Sequence, residues 1–140
     1  MNSAEGQPFS PAPCAFCGRL ENGALTESSE QTVAFPDAFP VTRGHHLLVP
    51  RRHVVDFFQL TPKEQADLWR LLARLRDRLF REYSPDGINV GMNVGEAAGQ
   101  TVAHAHVHVI PRYGGDVADP RGGVRWVVPE KAAYWEGRKG

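Results

Sequence analysis

The chain lacks most of the features that would assign it to a class by bulk composition. Lysine plus arginine and aspartate plus glutamate number 16 each, so neither sign of charge is in excess. That excludes a general basic field for nucleic acid and an acidic solvating tail; any anionic ligand must be met by local groups. Two cysteines cannot build the disulfide framework of a small secreted domain. No apolar run approaches the ~20 residues that cross a bilayer. Met1-Asn-Ser-Ala-Glu-Gly-Gln-Pro8 shows neither the positive start nor the apolar stretch of a secretory signal. No internal repeat or low-complexity tract occurs. These absences predict a single domain of the reducing cytoplasm, with no nucleic-acid partner and no membrane.

What the chain does have is histidine in the right places. All six histidines fall in two short segments, Gly44-His-His-Leu-Leu-Val-Pro-Arg-Arg-His53 and His104-Ala-His-Val-His108. In an extended strand, alternate side chains point to one face, so His104, His106 and His108 would share a surface while Ala105, Val107 and Val109 enter the core. Imidazole titrates nearest neutrality and can serve as nucleophile, proton carrier or metal ligand. A row of three, with a second histidine segment gathered near it, therefore predicts one chemical site.

Cys14-Ala-Phe-Cys17 uses both cysteines. A C-x-x-C pair reads as half of a zinc site, a redox dithiol or an accident. Metal is favoured, because a redox pair normally opens a helix after a strand and this one follows the loop-like Phe9-Ser-Pro-Ala-Pro13. Two imidazoles would complete a tetrahedral shell, and spacing does not choose them from the six.

Residues 1–13, rich in Ser, Pro, Ala and Gly, read as a flexible lead. Strands are predicted at 31–35, 45–49, 88–93, 100–111 and 124–128, and a short helical turn at 54–58. One long helix is announced by Thr61 as N-cap, Pro62 at the first position and Glu64 closing a capping box. Leu68, Leu71, Leu72, Leu75 and Leu79 then line one face, and the arginines around them a solvated one. The helix should end near Tyr83. The 88–93 and 100–111 strands should pair as a hairpin that brings Asn93 near the triad. Strands before and after a long helix make an α+β fold. Trp126 and Trp135 read as core or tail packing.

His104-Ala-His-Val-His-Val-Ile110 resembles the signature of the histidine-triad family, HIT. The likeness runs from Cys14 to about Trp135 through Gly44-His, Leu-Val-Pro-x-x-His53, the Asn-x-Gly stretch at Asn93 and Gly99-Gln-Thr101. It is nearest the bacterial branch related to the fragile-histidine-triad and histidine-triad nucleotide-binding proteins. The resemblance implies a single HIT domain over 14–140, a mostly antiparallel five-stranded sheet with one long and one short helix, and commonly a homodimer.

It also implies a reaction: nucleotidyl transfer or hydrolysis at the α-phosphorus of a purine nucleotide derivative, through a nucleotidyl-His106 intermediate. The carbonyl of His104 would hold the proton of His106. His108 would contact phosphate and assist the leaving group, and Gln100 and Thr101 would donate to phosphate oxygens. Asp37 would meet the ribose, while His45 and Asn93 would line the pocket. A structural zinc would be held by Cys14, Cys17, His53 and His104. Two other readings remain: a metallohydrolase whose catalytic zinc sits on His104, His106 and a third histidine, and a nucleotide-binding sensor or scaffold with little turnover.

Overall fold

A computed structural model describes residues 14–137; the lead assigned to residues 1–13 lies outside the described residues. Helix α1 (Ala15–Asn22) precedes strands β1 (Glu27–Ser28), β2 (Thr32–Pro36) and β3 (His46–Pro50). A 3-10 turn at Phe57–Gln59 leads into helix α2 (Pro62–Tyr83). Strands β4 (Gly87–Gly91) and β5 (Val107–Arg112) follow, and a 3-10 turn at Gly123–Val127 and helix α3 (Pro129–Ala132) close the described chain. The sheet is antiparallel throughout, in the order β1-β2-β3-β5-β4. The α+β fold and five-stranded sheet expected from sequence are present.

Helix α2 forms where its signals stand. Thr61 Oγ1 accepts from the Glu64 amide at 3.1 Å, and Glu64 Oε1 accepts from the Thr61 amide at 2.8 Å. The Arg52 guanidinium at 2.8 Å and the Thr61 backbone hold the Glu64 carboxyl down at about 2. Leu68, Leu71, Leu75 and Leu79 are fully buried against Ala34, Leu48, Val107 and Val109, forming the main core on one face of the sheet. The helix stops at Ser84, which turns left-handed with φ 49°.

The opposite face has a smaller apolar cluster, Val33, Phe35, Leu47 and Val49, covered by Phe16, Leu20 and Leu25. His108 pairs in register with Leu47 and so shares this face. Along β5 the burial alternates strictly, with Val107, Val109 and Pro111 in the core and His108, Ile110 and Arg112 half-buried on the other side.

Two expectations are corrected. Residues 124–128 form no strand; the Gly123–Val127 turn stands there, and the fifth strand is β1. Gly122 and Gly123 both take positive φ, at 94° and 45°, which breaks extension just where the valine alternation suggests it. The histidine strand begins at Val107, not at Gln100. Cys14 caps α1 by accepting from the Cys17 amide at 3.4 Å. The C-x-x-C pair thus opens a helix, which a metal pair or a redox pair can both do, and the segment 9–13 before it lies outside the described residues.

Candidate active site

The tautomer of each imidazole can be read from its neighbours. His106 Nδ1 lies 2.8 Å from the His104 carbonyl oxygen. A carbonyl only accepts, so Nδ1 carries the proton and Nε2 keeps a lone pair. His106 is buried at 7% exposure, and the edge of Phe16 meets its ring at 5.0 Å between centroids.

His104 uses the opposite tautomer. Its Nε2–H donates to Pro50 O at 2.9 Å, which leaves Nδ1 free to bind a cation. That atom faces Cys14 Sγ at 3.5 Å, Cys17 Sγ at 3.6 Å and His53 Nδ1 at 3.0 Å; Cys17 Sγ and His53 Nδ1 are 3.4 Å apart. A tetrahedral zinc shell with bonds of ~2.0–2.1 Å to nitrogen and ~2.3 Å to sulfur has nitrogen–sulfur edges of roughly 3.5–3.6 Å. The four residues implied by the resemblance therefore converge with spacing that fits zinc. Burial, with His53 and His106 adding to it against the Pro50 carbonyl, lowers His104 to about 4. The ring stays neutral, as a ligand must.

A second cluster joins Asp37, His45 and His108. The Val41 amide donates to His45 Nδ1 at 3.1 Å, so the His45 proton sits on Nε2. That N–H faces His108 Nδ1 at 3.0 Å and Asp37 Oδ2 at 3.3 Å. His108 Nδ1 thus accepts, and its own proton lies on Nε2. Burial holds both rings below the ordinary histidine range, with Asp37 opposing it in each case. The cluster is compact enough for a cation, but coordination through His45 Nε2 would strip its proton while Nδ1 is already accepting. Its hydrogen bonds instead run in one direction, from the Val41 amide into His45 and from His45 Nε2 toward His108 and Asp37. Neither of the two cation-sized clusters among the described residues includes His106, which counts against the metallohydrolase reading.

The remaining predicted residues divide. Asp37 Oδ1 accepts from the Phe39 amide at 2.8 Å, closing a turn, and its Oδ2 faces His45 Nε2 at 3.3 Å. Asn93 lies two residues past Gly91, which ends β4 and is the register partner of His108. Gln100 is a correction. Its Nε2 donates to Val55 O at 2.9 Å and Val102 O at 3.1 Å, and its Oε1 accepts from the Gly95 amide at 2.9 Å. The side chain is consumed in bracing the loop before the triad and has no N–H for phosphate. Thr101 beside it is exposed.

The profile of the HIT domain matches residues 22–115. The chain belongs to the HIT family. A HIT family protein of Bacillus anthracis superposes with a TM-score of 0.68 at 38% identity, over 74% of this chain and 75% of that one. A zinc-bound histidine triad family protein of Mycobacterium smegmatis superposes with a TM-score of 0.70 at 32% identity, over 79% and 82%. A Mycobacterium tuberculosis protein named AP-4-A phosphorylase is 34% identical over 116 residues, which are 82% of this chain and 58% of that protein.

Two parts of this HIT site escape sequence reasoning. Phe16, on α1, stacks edge-on against Phe35 at 5.7 Å and against His106 at 5.0 Å, walling that imidazole on one side. The Val41 amide fixes the His45 tautomer, and a backbone donor leaves no mark in side-chain composition. Phe16 does carry a signal, since it lies between the two cysteines. Trp135 packs in the tail beneath Arg121, as expected, whereas Trp126 lines a cleft. Among the described residues no helix is long and apolar enough to cross a membrane.

Proposed function

We propose that this HIT protein is a nucleotide hydrolase or nucleotidyl transferase working through a covalent bond between His106 Nε2 and the α-phosphorus of a purine nucleotide derivative. The observation that carries the proposal is the 2.8 Å hydrogen bond from His106 Nδ1 to the His104 carbonyl, which aims the lone pair at Nε2 and holds the positive charge that develops on the ring during attack.

As the nitrogen–phosphorus bond forms, the bond from phosphorus to the leaving group breaks. His108 Nε2–H donates to a phosphoryl oxygen or the departing atom, and the leaving group takes its proton from water. Water, or inorganic phosphate, then attacks phosphorus and frees the ring, releasing a nucleoside mono- or diphosphate. The nucleoside would rest on the partly buried Phe16, Leu20 and Leu25, with Asp37 accepting from ribose hydroxyls and His45 and Asn93 completing the pocket. Thr101 would donate to phosphate. Cys14, Cys17, His53 and His104 would hold zinc in a filled shell, with no open position for substrate, so the ion would tie α1 to the catalytic segment and supply no chemistry. A homodimer is supported by the unpaired edge of β4 and a 400 Å3 groove beside it lined by Trp69, Leu72, Ala73, Arg76, Ile88 and Val90.

The test is to mix protein with adenosine phosphoramidates and dinucleoside polyphosphates, quench in base and weigh the intact chain. Wild type should gain one nucleotidyl group. His106→Asn should gain none, and its monophosphate release should fall on the order of 10⁴-fold or more. Retained turnover in His106→Asn, or tight nucleotide binding with no turnover in wild type, would sink the proposal.

A further inference from the structure

Asp37 has one oxygen to spare, and it faces the histidines. Its Oδ1 is occupied by the Phe39 amide at 2.8 Å, so Oδ2 is left to meet whatever enters the site. That oxygen stands 3.3 Å from His45 Nε2 and 3.8 Å from His108 Nδ1. The carboxylate cannot swing clear of His45. The Asp37 amide donates to His45 O at 3.0 Å, one step beyond the last β2–β3 pair of Pro36 with His46, and the Phe39 turn holds the side chain from the other direction.

His45 has a single proton to give. Nδ1 accepts from the Val41 amide at 3.1 Å, and the N–H at Nε2 faces both His108 Nδ1 at 3.0 Å and Asp37 Oδ2 at 3.3 Å. A shared N–H is bent toward each acceptor and bonds each less well than a committed one. The carboxylate is the stronger rival, because hydrogen bonds to an ionised acceptor are roughly twice as strong as those between neutral groups. His45 is 3% exposed and Asp37 15%, so little water relieves the competition. His108 bears the consequence. Its form with the proton on Nε2, the one able to donate toward substrate, is held in place by a donor at Nδ1. Among the described residues His45 supplies the one hydrogen bond that this atom receives.

We infer that Asp37 is a positioning residue that couples recognition of the ribose to the donor function of His108. The inference rests on the nucleotidyl-His106 reading, with the nucleoside lying against Asp37. In the free site Oδ2 draws the His45 N–H toward itself and leaves the His108 ring loosely held. Ribose hydroxyls donating to Oδ2 fill its lone pairs and spread its charge. The His45 N–H then commits to His108 Nδ1, and His108 Nε2–H is aimed at the phosphoryl oxygen or the departing atom. No proton changes owner; one hydrogen bond is re-aimed. The site thereby selects nucleotides with both ribose hydroxyls intact, and it discriminates against deoxy sugars in the chemical step as well as in binding.

The test varies the sugar and holds the leaving group fixed. Adenosine phosphoramidate of one alkylamine is compared with its deoxy and dideoxy analogues in single turnovers. The rate of nucleotidyl-His106 formation at saturation and the half-saturating concentration are read separately. In wild type, loss of both hydroxyls should lower the saturated rate on the order of 10-fold or more, in addition to weakening binding. Asp37→Asn keeps an oxygen for the Phe39 amide and puts an amide nitrogen in place of Oδ2, which cannot accept from His45. Its saturated rates on the three sugars should agree closely, and on the dideoxy analogue it should outrun wild type. A residue that merely held the sugar or the loop would give losses but not this gain. With a p-nitrophenyl ester as substrate, whose leaving group departs as a stable anion, the hydroxyl effect on the saturated rate should vanish and the effect on binding remain. Should the Asn variant fail to fold, the wild-type series with the amide and the ester decides alone. Hydroxyl loss that alters only binding in wild type, saturated rates in Asp37→Asn that still follow the hydroxyls, or an equal rate effect with the ester overturns the inference. A His106 adduct formed on the ribose substrate in any of those cases leaves the catalytic reading standing, and no adduct in wild type with any sugar removes both.

Discussion

Each histidine here is useful in only one of its two neutral forms, and a neighbouring backbone group chooses the form. The His104 carbonyl sets His106, the Pro50 carbonyl sets His104 and the Val41 amide sets His45. The triad and its spacing are plain in the sequence. These backbone partners are not, because any residue type supplies an amide or a carbonyl. His46 falls outside the chemistry: it faces the α2 side, donates from Nδ1 to Gly44 O at 2.7 Å and accepts at Nε2 from Thr26 Oγ1 at 2.9 Å. Burial lowers His45, His46 and His108 alike. A lowered histidine favours the fold while neutral, so its contribution is complete above the unfolded value of ~6.5 and is lost as pH falls below it. The carboxyl of Glu64, held at about 2, loses its contribution only below its ordinary 4.5. Melting temperature should therefore fall between pH 7 and pH 5, before the carboxylates act, and His46→Gln should flatten that fall. Thermal melts that are level across this window would refute the assignment.

Among elements, legibility follows redundancy. Helix α2 is marked by its cap, its proline, its capping box and its leucines, and all four agree. Helix α1 has eight residues, a cysteine for a cap and a glycine inside, so no single signal reaches significance. Strand β1 has two residues and exists only because β2 offers it an edge. The redundancy in α2 has measurable weight. Thr61→Ala should cost about 1 kcal/mol, and Leu75→Ala, emptying a fully buried position, about 3 kcal/mol. Denaturant melts would check both, and equal costs would contradict the division between cap and core. Gly44 is required for another reason. At φ 91° a Cβ there would sit 2.9 Å from the Tyr83 ring, so Gly44→Ala should displace His45 and lower turnover as well as stability.

For the whole molecule, the sheet order leaves β4 as an open edge beside Trp69 and Ala73. Ala73 is exposed and Ala73→Glu preserves helix propensity. If the groove joins two copies, that change should halve the mass seen by light scattering; a wild type that already runs as one chain would exclude the dimer. The four-ligand cluster makes a second demand at this scale. Purified protein should carry about one zinc per chain, and chelation or Cys17→Ser should raise KM for nucleotide more than it lowers kcat, because Phe16 loses its anchor while His106 keeps its carbonyl. Metal analysis with parallel kinetics decides it, and an unchanged KM after complete metal loss would separate α1 from substrate binding.

Cys14 lies against His104 across 90 positions of chain. A ribosome adding about 5–20 residues per second leaves those thiols waiting roughly 5–18 seconds for their imidazole to be made. The contact between α1 and His104 thus cannot close until the histidine segment has been made. A polypeptide cut short before residue 104 would hold neither the latch nor the ring of His106.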